Sequence, residues 1–258
     1  MKRNIFFARC AIIFAFISNI SAANADDVNV AVAANFTAAI KKLAPLYEQK
    51  SGNKLIASFG ATGQLYAQIK NGAPFDVVLA ADDTTPKKLI DEGDALAGSY
   101  FIYARGRLAL WSGTRGYVDD QGAILKSDKF TKIAIANPKA APYGQAAIDT
   151  LSALKLLDHL QPKFVTGENI AQTQQFVSSG NVPLGFIALA QVKALSPEDR
   201  GSWWVVPSNL HQPIEQGAVQ LNRAKNANAA KSFLDFMKSP EAIAVIRELG
   251  YEIPDTAH

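Results

Sequence analysis

Apolar residues along this chain alternate between two spacings, and the change from one to the other recurs many times. In the first example, Val28, Val30 and Val32 occupy every second position, as in a buried β-strand. From Asn35 onward the apolar residues fall three or four positions apart, which is the spacing of the buried face of a helix. Because Asn is a favoured N-cap residue, the sequence predicts a strand that runs directly into a helix at Ala34-Asn35.

The same order of strand and helix is repeated through most of the chain. Further strands are predicted over 54–59, 75–80, 132–136, 163–165, 182–188 and 203–206. Helices are predicted over 65–71, 86–92, 144–157, 170–179, 227–238 and 240–249. Strands that alternate with helices indicate an α/β fold, built from parallel βαβ units with helices on both faces of each sheet.

The alternation is interrupted between Tyr100 and Trp111, where two extended runs follow each other without a helix. A further extended run, 214–221, comes late in the chain. We expect these segments to be the two strands of a hinge between two parallel-sheet lobes. Lobe 1 is predicted to comprise residues 26–103 and 216–258, and lobe 2 residues 104–215.

Residues 1–25 are interpreted as a cleaved signal peptide, with a basic start, an apolar run from Cys10 to Ile20 and a cleavage site at Ala23-Asn24-Ala25. Cleavage would remove three of the 26 basic residues and none of the 23 acidic ones, so the mature chain is close to neutral. A neutral chain argues against nucleic acid as a partner. The single cysteine leaves with the signal, which excludes disulfides from an exported, periplasmic protein.

Sites for a metal cation or for covalent catalysis are not indicated. The three histidines, His159, His211 and His258, have no metal-ligand spacing, and no nucleophile elbow or phosphate loop is present. The pair Asp82-Asp83 is open to two interpretations, a general acid or the cap of the next helix, and we favour the cap.

Neutral hydrogen-bond donors recur at four predicted strand-to-helix junctions, two in each lobe. The junctions are Ala34-Asn35, Ala61-Thr62-Gly63, Pro142-Tyr143-Gly144 and Asn169-Ile170. Backbone N–H groups are unpaired at the start of a helix, and the helix dipole places partial positive charge there. Such a set suits a fully deprotonated oxyanion, which accepts hydrogen bonds at every oxygen and donates none.

Several of these segments resemble the periplasmic molybdate-binding proteins of ABC importers, a family of solute-binding proteins. The similar segments run in order along the mature chain: Ala33-Ala34-Asn35-Phe36-Thr37, Ser58-Phe59-Gly60-Ala61-Thr62-Gly63, Gly72-Ala73-Pro74-Phe75-Asp76-Val77, Ala136-Asn137-Pro138-Lys139-Ala140-Ala141-Pro142-Tyr143-Gly144, Pro183-Leu184-Gly185-Phe186 and Ser239-Pro240-Glu241-Ala242. The Asn-Pro-x5-Gly segment makes the combination fairly specific.

The resemblance implies a two-lobed periplasmic-binding-protein fold of type II that binds molybdate, and also tungstate, without a cofactor and without enzymatic activity. It implies an oxyanion site, with no free metal cation, at Ala34, Asn35, Thr62, Tyr143 and Ile170. A monomer that delivers the anion to an inner-membrane ABC permease and its ATPase is expected. Two alternatives stay open: a binding protein for a smaller oxyanion such as sulfate or thiosulfate, and an exported hydrolase.

The sequence departs from the family at two positions. Many members have Ser where this chain has Asn35, and many have a ligand-contacting Tyr where it has Ala188. Members with that Tyr tend to have a small residue at the position of Tyr143, so the two positions are reversed here. We therefore predict that the phenol of Tyr143 takes over the missing contact, either binding the anion or sealing it from water. The alternative is that Tyr143 packs on its loop and only its backbone N–H matters.

Overall fold

The computed structural model describes residues 26–254, so the predicted signal peptide lies outside the described residues. Its strands, in chain order, are β1 Asp27–Ala33, β2 Lys54–Gly60, β3 Val77–Leu79, β4 Phe101–Gly106, β5 Leu108–Ser112, β6 Ile133–Ala136, β7 Phe164–Gly167, β8 Gly185–Ala188, β9 Ser202–Val205 and β10 Ile214–Gln220. They form two five-stranded sheets, ordered β2-β1-β3-β10-β4 and β7-β6-β8-β5-β9. The two-lobed α/β prediction is confirmed.

The helices, in chain order, are α1 Thr37–Ser51, α2 Thr62–Lys70, α3 Thr84–Asp91, α4 Pro142–Ala153, α5 Leu157–Leu160, α6 Ile170–Ser178, α7 Leu189–Ala194, α8 Ala227–Met237 and α9 Pro240–Glu248. No helix among residues 26–254 is both long and apolar enough to cross a membrane. The predicted start of the last helix is confirmed. Ser239 is the N-cap of α9, and its hydroxyl accepts a hydrogen bond from the N–H of Ala242.

Both sheets are mixed, whereas the sequence predicted parallel sheets. The parallel pairs are those joined by a helix, β1 with β2 and β3, and β6 with β7 and β8. Strand β10 runs antiparallel to β3 and β4, and β5 runs antiparallel to β8 and β9. The prediction was wrong for these pairs because β5 and β10 each follow a strand of the other sheet, so each enters its sheet from the other lobe and not through a helical crossover from a parallel neighbour.

Strand β1 is buried on both faces, which explains its continuous apolar composition. Val28, Val30 and Val32 pack on one face with the inner side of α1, and Ala31 packs on the other face with Leu65 of α2. The core of the first lobe therefore lies on both sides of its sheet, as expected for a parallel arrangement. The layers hold the carboxyl ends of β1, β2 and β3 together at one edge of the lobe.

Three of the differences from the predicted elements have a local cause. Helix α1 begins at Thr37 rather than Asn35, because residues Ala34–Phe36 form a short 3-10 turn and the Asn35 side chain caps nothing. The predicted helix over 144–157 ends as α4 at Ala153, since Lys155 adopts a left-handed conformation with φ of 59°. Helix α7 was missed because the apolar run of β8 continues directly into it.

Candidate functional site

A small closed cavity lies between the two lobes, where the ends of β1, β2 and β3 face the first turns of α4 and α6. All five residues of the predicted oxyanion site line it: Ala34, Asn35, Thr62, Tyr143 and Ile170. The volume of the cavity is only about 10 Å³, so it has room for a ligand of a few atoms at most. Ala188, the position of the missing tyrosine, is buried in β8 and is not part of this lining.

Backbone N–H groups at the start of three helices are left unpaired around the cavity. Thr62 and Ile170 are the first residues of α2 and α6, and Tyr143 is the second residue of α4. Within residues 26–254, none of these three N–H groups donates to a protein acceptor. Orphan donors of this kind are the usual anion-binding groups of helix N-termini.

The hydroxyl of Thr62 also keeps a hydrogen free. Thr62 is buried, and its Oγ1 accepts a hydrogen bond of 2.9 Å from the N–H of Ala81. The bond fixes the position of the oxygen, while the hydroxyl hydrogen is not used by any acceptor in the part of the chain that the structure describes. Thr62 therefore presents two donors, its backbone N–H and its O–H, at one point of the cavity wall.

Asn35 contributes differently from what the sequence suggested. Its side-chain nitrogen donates to Gln216 Oε1 at 2.9 Å and to the Tyr251 hydroxyl at 3.1 Å. Both hydrogens of the amide are thus committed to the protein. The donor that Asn35 has left for a ligand is its backbone N–H, which has no partner among residues 26–254.

The side chain of Tyr143 extends from the cavity to the hinge. Its hydroxyl accepts a hydrogen bond of 3.2 Å from Gln216 Nε2 on β10. The same hydroxyl occupies the space that a Cβ atom would need at Gly106 on β4, so only glycine fits there. Sequence reasoning missed Gln216 and Gly106, since neither belongs to a local motif and both meet Tyr143 only in the folded chain.

The two lobes also touch directly beside the cavity. The N–H of Gly63 on α2 donates a 2.9 Å hydrogen bond to the carbonyl oxygen of Ala140, in the loop before α4. A Cβ atom at Gly63 would lie 3.2 Å from the Ala140 Cα atom, which is tighter than ordinary packing. The Ala61-Thr62-Gly63 segment therefore lines the cavity and also, through Gly63, holds the two lobes together.

The wall of the cavity carries no charged side chain. Burial raises the pKa of Tyr143, and also that of Tyr251 behind it, so both hydroxyls stay neutral at physiological pH. The electrostatic potential inside is then set by backbone dipoles, whose positive ends belong to α2, α4 and α6. A site of this kind binds an anion by hydrogen bonds alone.

A larger groove opens next to the cavity, with a volume of about 440 Å³. Its charged lining residues are four acidic ones and one basic one: Asp82, Asp83, Asp149, Glu215 and Lys139. An excess of carboxylates repels a dianion, so the groove is the poorer candidate despite its size.

The two aspartates that were open to a catalytic interpretation, Asp82 and Asp83, lie in this groove. Asp82 Oδ1 accepts a 2.7 Å hydrogen bond from the N–H of Thr85, which confirms its capping role at α3. Asp83 makes no cap and pairs with Lys87 instead. Burial, as the largest cause, raises the pKa of Asp82.

Three comparisons with known proteins agree with one another. The family model of bacterial extracellular solute-binding proteins matches residues 28–252. The chain is 53% identical to the molybdate-binding protein ModA of Azotobacter vinelandii over 230 residues, which are 89% of this chain and 91% of that protein. It is 48% identical to ModA of Rhodobacter capsulatus over 229 residues, 89% of each chain. The solved structure of a periplasmic molybdate-binding protein from Azotobacter vinelandii superposes with a TM-score of 0.84 at 40% identity, covering 88% of this chain and all of that one.

Proposed function

The chain belongs to the bacterial extracellular solute-binding proteins, and on this premise we propose that it captures molybdate between its lobes and delivers it to an ABC permease. The family consists of transport proteins, and the relatives named above carry molybdate in their names. The observation that supports this function best is the closed cavity between the lobes. Its walls offer hydrogen-bond donors from both lobes and no charged side chain.

The proposed ligand contacts follow from the unpaired donors. The backbone N–H groups of Asn35, Thr62, Tyr143 and Ile170 and the hydroxyl of Thr62 bind the oxygens of the anion, and Ala34 packs beside them. Every contact is a donor, so the site favours an oxyanion that carries no proton. Hydrogen phosphate brings one O–H group, and burying that group without an acceptor costs about 1–3 kcal/mol.

Size provides the selection against sulfate, since sulfate and molybdate carry the same charge. The donors sit on two separate lobes, and their spacing is set by the Gly63–Ala140 contact at closure. We expect a smaller tetrahedral anion to make fewer full hydrogen bonds to donors that are held on both lobes. Tungstate has nearly the same size and charge as molybdate, so we propose that it binds equally well.

Proteins of this family act outside the cytoplasm, and we propose that this chain is exported with cleavage of its signal peptide after Ala25. The protein acts as a monomer that presents both lobes to the permease, with lobe 1 formed by 26–103 and 216–258 and lobe 2 by 104–215. The permease works with its own ATPase, and the binding protein itself carries out no reaction.

Calorimetric titration of the mature protein with molybdate, tungstate, sulfate and phosphate tests the proposal. We expect tight binding of the first two and much weaker binding of the others. A hundredfold excess of molybdate over its Kd should also stabilise the fold by about 2.7 kcal/mol. Comparable affinity for sulfate would favour the smaller-oxyanion alternative. No heat and no thermal shift with any of the four anions would overturn the transport function.

A further inference from the structure

A continuous chain of buried hydrogen bonds runs behind the cavity and joins residues that are far apart in the sequence. It starts at Tyr251, passes through Asn35 of lobe 1 and Gln216 of the hinge strand β10, and ends at Tyr143 of lobe 2. All four residues are almost fully buried, and Gln216 is completely so. Hydrogen bonds in such an environment are strong and polarise one another.

The direction of each hydrogen bond in the chain is forced by the one before it. The Tyr251 hydroxyl donates its only hydrogen to the backbone carbonyl of Asn35, at 2.9 Å. Towards the Asn35 side chain, Tyr251 can therefore only accept, so it faces the side-chain nitrogen. The second hydrogen of that nitrogen goes to Gln216 Oε1.

The direction is then transmitted from Gln216 to Tyr143. Gln216 Oε1 accepts from the side-chain nitrogen of Asn35, so the amide cannot be turned around without losing that bond. The Tyr103 hydroxyl lies 2.9 Å from both Gln216 Oε1 and the carbonyl oxygen of Ala80, so its one hydrogen is shared between these two acceptors. The nitrogen of Gln216 must face Tyr143, whose hydroxyl oxygen accepts at 3.2 Å. The hydrogen of Tyr143 is left over, and no residue between 26 and 254 accepts it.

We propose that Gln216 is a positioning residue that makes the Tyr143 phenol a donor to the bound anion, an inference that rests on the proposed function. With its oxygen accepting from Gln216 on the hinge side, the hydroxyl of Tyr143 keeps its hydrogen for an acceptor in the cavity that Tyr143 lines. Gly106 provides the space in which this hydroxyl can sit.

The groups around Gln216 stay neutral over the physiological range. The titratable side chains facing it are Tyr103 from β4, Tyr143 from α4 and Tyr251 from the C-terminal segment, and burial raises the pKa of each. Asp82 lies near enough to Tyr103 to add to that shift. Binding by the parent protein should therefore be insensitive to pH between about pH 6 and 9.

The variant Gln216→Glu tests the proposal because it changes little besides the donor. An ionised glutamate accepts from Asn35 and Tyr103 as the amide does, but it also takes the hydrogen of Tyr143 and brings a negative charge close to the anion. We expect molybdate affinity at pH 9 to fall by about a hundredfold or more. Burial raises the pKa of such a carboxyl, so affinity should recover by roughly tenfold at pH 6, where the protonated acid can donate again.

The matched control is Gln220→Glu on the same strand. Gln220 is also buried, and its side chain donates to the carbonyl of Ala227, away from the cavity. This variant should bind molybdate like the parent at every pH, whatever it costs in melting temperature. A pH-dependent affinity in both variants would overturn the proposal, because the effect would then come from any buried acid on β10.

Tyr143→Phe provides a second test that does not depend on how Gln216→Glu folds. It keeps the ring and the backbone N–H and removes only the hydroxyl, so we expect about a ten- to hundredfold loss of affinity. Parent-like affinity in Tyr143→Phe, or in Gln216→Glu across the whole pH range, would overturn this inference alone. Absence of molybdate binding by the parent protein would instead overturn the proposed function.

Discussion

The two halves of the site hold their hydrogen-bond donors in different ways. On the lobe 1 side, the carboxyl ends of β1 and β2 present Asn35 and Thr62, whose polar side chains are each fixed by hydrogen bonds to the protein. On the lobe 2 side, Tyr143 and Ile170 occupy the first turns of α4 and α6, where the exposed donors belong to the backbone.

This difference predicts how each half responds to mutation. A donor supplied by the backbone survives almost any change of side chain, but it is lost if the N–H itself is removed. A donor supplied or oriented by side chains is sensitive to the identity of residues behind the cavity, such as Gln216, which contacts both Asn35 and Tyr143. Side-chain changes around Thr62 and Tyr143 should therefore tune the affinity, whereas the backbone N–H groups should supply a constant part of it.

The largest effect is expected when a backbone donor is removed from lobe 2. Ile170→Pro deletes one N–H at the first position of α6, where proline is well tolerated, and Asn169 before it already has the extended conformation that proline requires. We expect a loss of about 3 kcal/mol in molybdate binding by calorimetry, roughly a hundredfold. Ile170→Ala is the control, since it keeps the N–H and should retain most of the affinity. Equal losses in both variants would mean that the side chain matters and the N–H does not.

A smaller effect is expected from the hydroxyl of lobe 1. Thr62→Val removes the O–H donor and leaves the buried N–H of Ala81 without its acceptor. Affinity should fall by roughly tenfold, about 1.4 kcal/mol, and the free energy of unfolding of the ligand-free protein should fall by about 1–3 kcal/mol. Thr62→Ser retains the hydroxyl and should restore both quantities. A Thr62→Val protein that is destabilised yet binds normally would show that Thr62 is purely structural.

The contact between the halves should have a milder influence. Gly63→Ala places a methyl group 3.2 Å from the Ala140 Cα atom, so the lobes must separate slightly in order to close. We expect molybdate affinity to drop roughly threefold, through faster dissociation measured by stopped-flow. Gly98→Ala, at a glycine with open space around it, is the control. An unchanged dissociation rate in Gly63→Ala would show that the contact between Gly63 and Ala140 does not control closure of the lobes.

The smallest effect is expected from pH. Because the pKa values of Tyr103, Tyr143 and Tyr251 are raised by burial, these groups stay protonated and neutral, and Kd should vary less than about twofold between pH 6 and 9. A raised pKa means that the folded state holds its proton more tightly, so stability is lost only as pH rises above about 10. A steep change of affinity below pH 9 would implicate a carboxylate or histidine in the site.

Local patterns in the sequence were sufficient for most of the elements. The spacing of Val28, Val30 and Val32 and the Ser239-Pro240 start of α9 are local signals, and the structure has both. The resemblance to known proteins selected five residues that the structure brings to one cavity. Whether they bind the anion stays a prediction.

What the sequence could not reveal depends on contacts between distant residues. The side chain of Asn35 was predicted to cap a helix, yet it reaches residues 181 and 216 positions away, Gln216 and Tyr251. A favoured cap residue was thus used for a tertiary hydrogen bond, which no window of the sequence contains. The requirement for glycine at Gly63 and Gly106 has the same origin, because each is set by an atom of a residue that is distant in the sequence.

An anomalous difference map, recorded at the molybdenum absorption edge from crystals grown with molybdate, tests the central claim most directly. The account predicts one strong peak between the lobes, surrounded by anion oxygens that lie within hydrogen-bond distance of the backbone nitrogens of Thr62, Tyr143 and Ile170 and of Thr62 Oγ1. A peak in the acidic groove beside Asp82 and Asp149, or contacts from one lobe only, would contradict it.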